Sequence, residues 1–330
     1  VPGSLTGLVV LGGFYRYYKK QWSDEECAVP GVQLTPACRL IKRLLLLALP
    51  VSCANVIVPV TSSIDVLLVP KYLLAAGFSV KEATTQFGYL AGMAQPLLLM
   101  ATIPTMSLAT SLVPAVSEAM ALKRWPLIEE KLATAMKLCC LITVPAAVGM
   151  SALAEPISRL LYGTGEAAAA IMHSGPAIWF LGLQQVTTGM LQGMGHTNLP
   201  MLHMLAGIVA KLIAVCQLTN AEYGIAGAAW ATNINFGVTA ALNILALQYF
   251  KIKFHWLSIC KIIFAALVMG AAAQALHGLL AGFNYTLATL AALAGAGVVY
   301  AALLPLLRII SVAELKQLPL LKKLAQKLRK

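Results

Sequence analysis

Two ionisable side chains sit in sequence otherwise too apolar to hold them. Asp65 follows the hydroxyl run Thr61-Ser62-Ser63, and Lys211 interrupts an uncharged stretch bounded by Pro200 and Glu222. A charge at the centre of a bilayer costs roughly 2.5–3.5 kcal/mol on insertion scales, so such groups face a cavity or a partner and mark an ion or substrate path. Lys211 has a competing reading as a side chain that snorkels to an interface. Its place about halfway between Pro200 and Glu222 makes that escape awkward and favours a cavity. Asp65 has a second reading too, as a polar group at a helix end in the outer headgroup layer. Uncharged polar residues fall in the same kind of sequence: Asn55, Gln95, Gln184, Gln185, Thr187, Thr188, Gln192, Asn233 and Asn235. Hydrocarbon cannot hydrogen-bond them, so they turn inward. Singly each is interhelical glue; together they imply a polar seam. The candidate substrate or ion pathway is therefore Asp65, Lys211, Asn55, Gln95, Gln185 and Asn233.

No catalytic constellation accompanies them. The five histidines (173, 196, 203, 255 and 277) are dispersed, and none has metal-ligand spacing with another His, Cys or carboxylate. His173 and His203 read as satisfied core or interface residues. The seven cysteines form no CxxC, and Cys27 and Cys38 lie in a loop read as cytoplasmic, where a disulfide is not expected. There is no Walker A loop, and Asp24-Glu25-Glu26 reads as a solvated run. Neither an enzyme nor a cofactor or metal is expected.

The elements that must position these residues are membrane helices. Apolar residues make up 59% of the chain and charged ones 11%, against about a quarter charged in soluble domains. Stretches 44–64, 83–117, 138–154, 167–210, 223–250 and 262–307 lack any ionisable group except histidine. About 20 such residues span a bilayer core, so 167–210 and 262–307 each hold two spans, broken at Gly193–Pro200 and at Gly282–Tyr285. The expectation is an all-α integral membrane protein with about eight full spans plus a shorter one ending near Tyr15. Because the chain starts at Val1, that first segment reads as the end of a helix whose beginning is missing. Pro50 and Pro59 fall in the first full span, and Pro96, Pro104 and Pro114 in the second. Interior prolines break the hydrogen-bond ladder, and Pro50, Pro59 and Pro104 are the candidate hinges. Segment 116–137 reads as a cytoplasmic linker with a short surface helix. Gly189-Met-Leu-Gln-Gly193, and Gly224 with Ala228, read as close helix contacts.

The net charge of +12 raises nucleic acid as a partner, but its placement argues otherwise. If the connections alternate between two faces, one face carries 20 of the 24 Lys and Arg. The other holds only Lys71, Lys81 and Arg159, with Lys211 inside a span. Cytoplasmic loops carry this excess, which puts the C-terminus in the cytoplasm. The tail 310–330 opens with the capping pattern Ser311–Glu314 and continues as a basic amphipathic helix suited to an anionic leaflet.

Several segments resemble a known family. They include Ser63-Ile64-Asp65, Leu73–Ser79, Ala83–Tyr89, Ile103-Pro104, Leu112–Ala119, Thr187–Gly195 with Pro200, Lys211, and Gly224–Thr232. The pattern is similar to the stage V sporulation protein B type of polysaccharide-biosynthesis membrane proteins, in the multidrug/oligosaccharidyl-lipid/polysaccharide exporter superfamily. It covers about 40–250; the last two spans and the tail fit by position. The resemblance implies a two-lobed flippase. Residues 1–38 would be a helix end and a cytoplasmic loop, and 39–250 the six-helix second lobe. Residues 251–309 would be two additional helices and 310–330 the tail. It also implies flipping of a polyprenyl-diphosphate-linked saccharide or cell-wall precursor across the bacterial cytoplasmic membrane by alternating access. The partners would be that lipid-linked glycan, membrane lipids and a coupling ion, H⁺ or Na⁺. Asp65 matches the acid of the family's seventh span. In related peptidoglycan-lipid flippases a basic residue often adjoins it, where this chain has Val66; that favours a different lipid-linked glycan. Three alternatives remain at this point: a drug/cation antiporter in which Asp65 binds Na⁺ or H⁺, a membrane enzyme acting on the same lipids, and a non-transporting scaffold.

Overall fold

The computed structural model describes residues 2–22, 37–252, 256–282 and 284–309. The acidic run 24–26, Cys27 and the amphipathic tail 310–330 lie outside them. The described residues are helical, without a strand. Two compact units are present, Val1–Leu46 and Leu47–Lys330. The first contains α1 (Pro2–Trp22), which runs past Tyr15, and the opening turns of α2 (Ala37–Ala75).

The second unit holds the rest of α2 and, in order, α3 (Val80–Gly88), a π-helical turn (Tyr89–Ala94), α4 (Gln95–Ala121), α5 (Trp125–Ala152), α6 (Ala154–Tyr162), α7 (Ala168–Gly193), α8 (Asn198–Leu218), α9 (Gly224–Tyr249), α10 (Trp256–Leu280) and α11 (Tyr285–Leu306). Among the described residues, five stretches have the length and apolarity to cross a membrane: Val80–Ala121, Trp125–Ala152, Asn198–Leu218, Trp256–Leu280 and Tyr285–Leu306. Helices α7 and α9 are as long but are diluted by amides and hydroxyls. They can be, because protein rather than lipid surrounds them. Helix α7 packs against α4, α5 and α9; α8 pairs with α9, and the α10–α11 hairpin docks on α5. The chain is a multi-pass membrane protein.

The expected linker 116–137 is not one. Helix α4 continues to Ala121 and α5 begins at Trp125, with Pro126 in its first turn, so the connection is Leu122–Arg124. The helices outlast their apolar runs because backbone hydrogen bonding persists into the headgroup layer, where charged side chains are solvated. The breaks expected after Gly193 and Gly282 are present. Gly195 takes φ +85° between α7 and α8, and the Asn284 side chain caps α11 by accepting from Thr286 and Leu287 N–H.

Close approach around α7 is set by glycine. A Cβ on Gly189 would stand 2.6 Å from the Ala109 carbonyl oxygen, and one on Gly193 2.8 Å from Val116 Cβ. The Gly189/Gly193 pair thus packs α7 directly onto α4. In α9 the close contact falls at Gly227, against the Leu218 backbone, and not at Gly224, which turns the chain at φ +49°.

Prolines run through continuous helices here. Pro50 and Pro59 lie within α2, Pro104 and Pro114 within α4. A π turn, Tyr89–Ala94, lies just before Pro96. The Tyr162 hydroxyl donates to the Met93 carbonyl of that turn at 2.9 Å, and the Tyr89 hydroxyl donates to Glu166. Prolines elsewhere free carbonyls that neighbours then capture. Pro145 leaves the Leu141 carbonyl without its helical donor, and the Tyr300 hydroxyl of α11 supplies one at 3.1 Å. Pro176 does the same to Met172, whose carbonyl accepts from the Ser151 hydroxyl at 2.9 Å.

Gly189→Leu should push α4 from α7 and destabilise the protein by about 1–3 kcal/mol, the range for overpacking. Gly297→Ala, where an added Cβ meets nothing within 4 Å, should melt like wild type. Thermal melts of the detergent-solubilised protein check both.

Candidate functional site

Asp65 and Lys211 meet. The Lys211 ammonium on α8 donates to Asp65 Oδ2 on α2 at 2.6 Å, and the two side chains are 3% and 7% exposed. Lys211 therefore does not snorkel, and Asp65 is no helix-end group, since α2 continues to Ala75. Taking either charge out of water costs several kcal/mol, a cost offset only by close pairing and further hydrogen bonds. One and two turns further along α2 come Leu68 and Tyr72, and along α8 Ala214, Val215 and Leu218. With Ala231 and Ile234 of α9 they form an apolar cluster beside the pair. At its edge the Tyr72 hydroxyl and Cys216 Sγ lie 2.8 Å apart, a second polar link between α2 and α8.

A cleft of about 440 Å³ is lined by His173, Glu222, Tyr223 and Trp230, with Leu218 and Ile234. Those last two residues belong to the cleft wall and to the apolar cluster alike.

Two of the other expected pathway residues make separate interhelical bonds. Gln185 Oε1 on α7 accepts from the Thr105 hydroxyl on α4 at 2.6 Å. Asn233 Nδ2 on α9 donates at 2.8 Å to the His173 carbonyl, bracing α7 beside its Pro176 break. Gln95 is half-buried at the first turn of α4, and Asn55 lies in α2 with its side chain outside the described residues. One polar centre escaped the sequence reading. Asn243, fully buried, donates from Nδ2 to the Thr187 and Thr188 hydroxyls at 3.1 and 3.0 Å, and its Oδ1 lies 2.7 Å from His203 Nδ1. It ties α7, α8 and α9 together and makes His203 the satisfied interface residue expected. The available signal was the spacing of Asn235, Thr239 and Asn243, which share one face of a helix.

The family model described as Lipid II flippase MurJ matches residues 96–293, more than half of the chain. The chain belongs to the MurJ family. Among curated relatives, the uncharacterized membrane protein YabM of Bacillus subtilis is 29% identical over 276 residues, covering 82% of this chain and 50% of YabM. Stage V sporulation protein B of the same organism is 28% identical over 330 residues, covering 98% of this chain and 62% of that protein. The chain thus spans about half to three fifths of these relatives. A solved lipid II flippase MurJ in an inward closed conformation shares the fold, with a TM-score of 0.58, 18% identity, and coverage of 74% of this chain and 50% of that one.

In this MurJ-family chain the ion pair is the feature with chemical consequence. Removing one partner of a buried pair typically costs about 3–5 kcal/mol because it strands the other charge, whereas apolar replacement of both is often neutral. Lys211→Met and Asp65→Leu should each destabilise by about that amount, and the double variant should recover most of the loss. Denaturation of the four proteins in detergent measures the coupling.

Proposed function

We propose that the full-length protein carrying this chain translocates a polyprenyl-diphosphate-linked saccharide or cell-wall precursor by alternating access. Membership of the MurJ family supports a lipid-linked cargo. The observation that carries the mechanism is the buried Asp65–Lys211 pair joining α2 to α8. Lys211 is the cation available to a lipid diphosphate, and in the present arrangement Asp65 neutralises it. A diphosphate arriving beside the pair would compete with the carboxylate for the ammonium, loosen α2 from α8 and let the lobe rearrange. The cargo's own charge would then open the link that keeps the passage closed. Pro50, Pro59 and Pro104, together with the π turn before Pro96, are the backbone positions proposed to absorb the motion. On this reading residues 39–250 act as one transporter lobe and 251–309 as an appended pair.

The exposed Val66 beside Asp65 leaves no second cation at that point of α2, which favours a glycan other than lipid II. The reading needs no catalytic residue. The excess of Lys and Arg on one set of loops favours a cytoplasmic C-terminus in the bacterial inner membrane.

Reconstitution of the full-length protein in vesicles with a fluorescent lipid-linked saccharide tests this. Wild type should expose inner-leaflet label to an outside quencher, and Lys211→Ala and Asp65→Ala should slow that by about ten-fold or more, a barrier change of about 1.4 kcal/mol. Wild-type rates from both variants would remove the ion pair from the mechanism. No movement by wild type would overturn the flippase reading itself.

A further inference from the structure

We infer that the Asp65 carboxylate is a cation site whose cation is built into the chain. The Lys211 ammonium stands where a free sodium ion would bind, so wild type does not use Na⁺ there, and shortening Lys211 turns the position into a Na⁺ site.

The argument starts from the geometry at Asp65. With Nζ 2.6 Å from Oδ2 and both side chains almost wholly enclosed, a cation seated on the same carboxylate would lie within a few ångströms of the ammonium. Like charges at that range repel strongly where water is excluded. One carboxylate supports one positive charge, and the surroundings add no second acid. Glu118, Glu129, Glu130, Glu155, Glu166 and Glu222 all lie near helix ends or in connections. Among the described residues no three His, Cys, Asp or Glu side chains gather as metal ligands.

The neighbourhood of the ammonium is nevertheless suited to a hard cation. Gly207 is one turn before Lys211 on the same face of α8, the direction in which a helical side chain leans. The position of an absent Cβ on Gly207 lies 2.7 Å from both the main-chain oxygen and Oδ1 of Asn235, and beside the Thr239 hydroxyl. Asn235 Oδ1, the Asn235 carbonyl and Thr239 Oγ1 thus gather on α9 against Gly207, one helical turn along α8 from the residue that holds the Asp65 carboxylate. Hard cations take sets of carboxylate, carbonyl and amide oxygens. Cutting Lys211 back would leave the Asp65 carboxylate uncompensated, with those oxygens one helical turn away on the neighbouring helix.

The inference rests on the transport reading only for its consequence, that any coupling ion at Asp65 is not Na⁺. The test reads cation binding without translocation, so a failed flipping assay leaves it standing. Melting curves of the full-length protein in detergent are compared in NaCl and in choline chloride at equal ionic strength. Wild type should melt alike in both. Lys211→Ala should melt higher in NaCl, with a saturable dependence; Na⁺ at a hundred times its Kd raises the folded-to-unfolded ratio about a hundred-fold. Lys211→Ala with Asp65→Asn should lose that response. Lys211→Asn, which retains an oxygen and fills more of the space, serves as a second variant should the alanine protein not fold. A saturable Na⁺-specific rise in wild type, or none in either single variant, overturns the inference.

Discussion

Charge inside a helical bundle that excludes water has to be answered by charge, and in this chain that requirement joins α2 to α8. The Asp65–Lys211 contact is an almost wholly enclosed pair of opposite charges. It joins α2 to α8 beside an apolar cluster built from α2, α8 and α9. A link of this kind suits a moving part, because its strength depends on what else is offered to the ammonium or the carboxylate. A purely apolar contact has no such dependence.

The same rule, applied to the backbone, shapes the rest of the bundle. Carbonyls freed by Pro145 and Pro176 are taken by hydroxyls from adjacent helices, as must happen where no water is present to satisfy them. Amides on α7 and α9 find partners across helix contacts. The centre of the fold can therefore be its least apolar part. Small residues on α7 make this affordable sterically: with no side chain at Gly189 and Gly193, α4 approaches closely enough for Ser117 to donate to the Gly193 carbonyl at 3.0 Å.

Much of this was legible in the sequence. Apolar runs pointed to an all-helical membrane fold, and glycine and proline marked breaks such as those after Gly193 and Gly282, since each depends on neighbours along the chain; the short helices α3 and α6 were not foreseen. Asp65 and Lys211 stood out because an isolated charge in such a run is conspicuous. Their pairing was not legible, because they are 146 residues apart and nothing in either segment names the other. The bracing of proline breaks by Ser151, Tyr300 and Asn233 was hidden for the same reason. Asn243 was missed although its spacing from Asn235 and Thr239 pointed to a shared face. The extent of α4 and α5 was underestimated because charged residues ended the apolar pattern before the helix itself ended. Gly227 and Gly224 could not be told apart by composition, since only the turn after Leu218 decides which of them meets a neighbouring backbone.

The central claim is that Lys211 is satisfied by Asp65 within the protein. A cryo-EM map of the full-length protein in a lipid nanodisc, sharp enough to resolve side chains, tests it most directly. The account predicts continuous density between the two groups at charge-assisted hydrogen-bond distance, about 2.7–2.9 Å, with α2 unbroken through Asp65. Density with Lys211 extended to the lipid interface, or with Asp65 facing the headgroups, would contradict it.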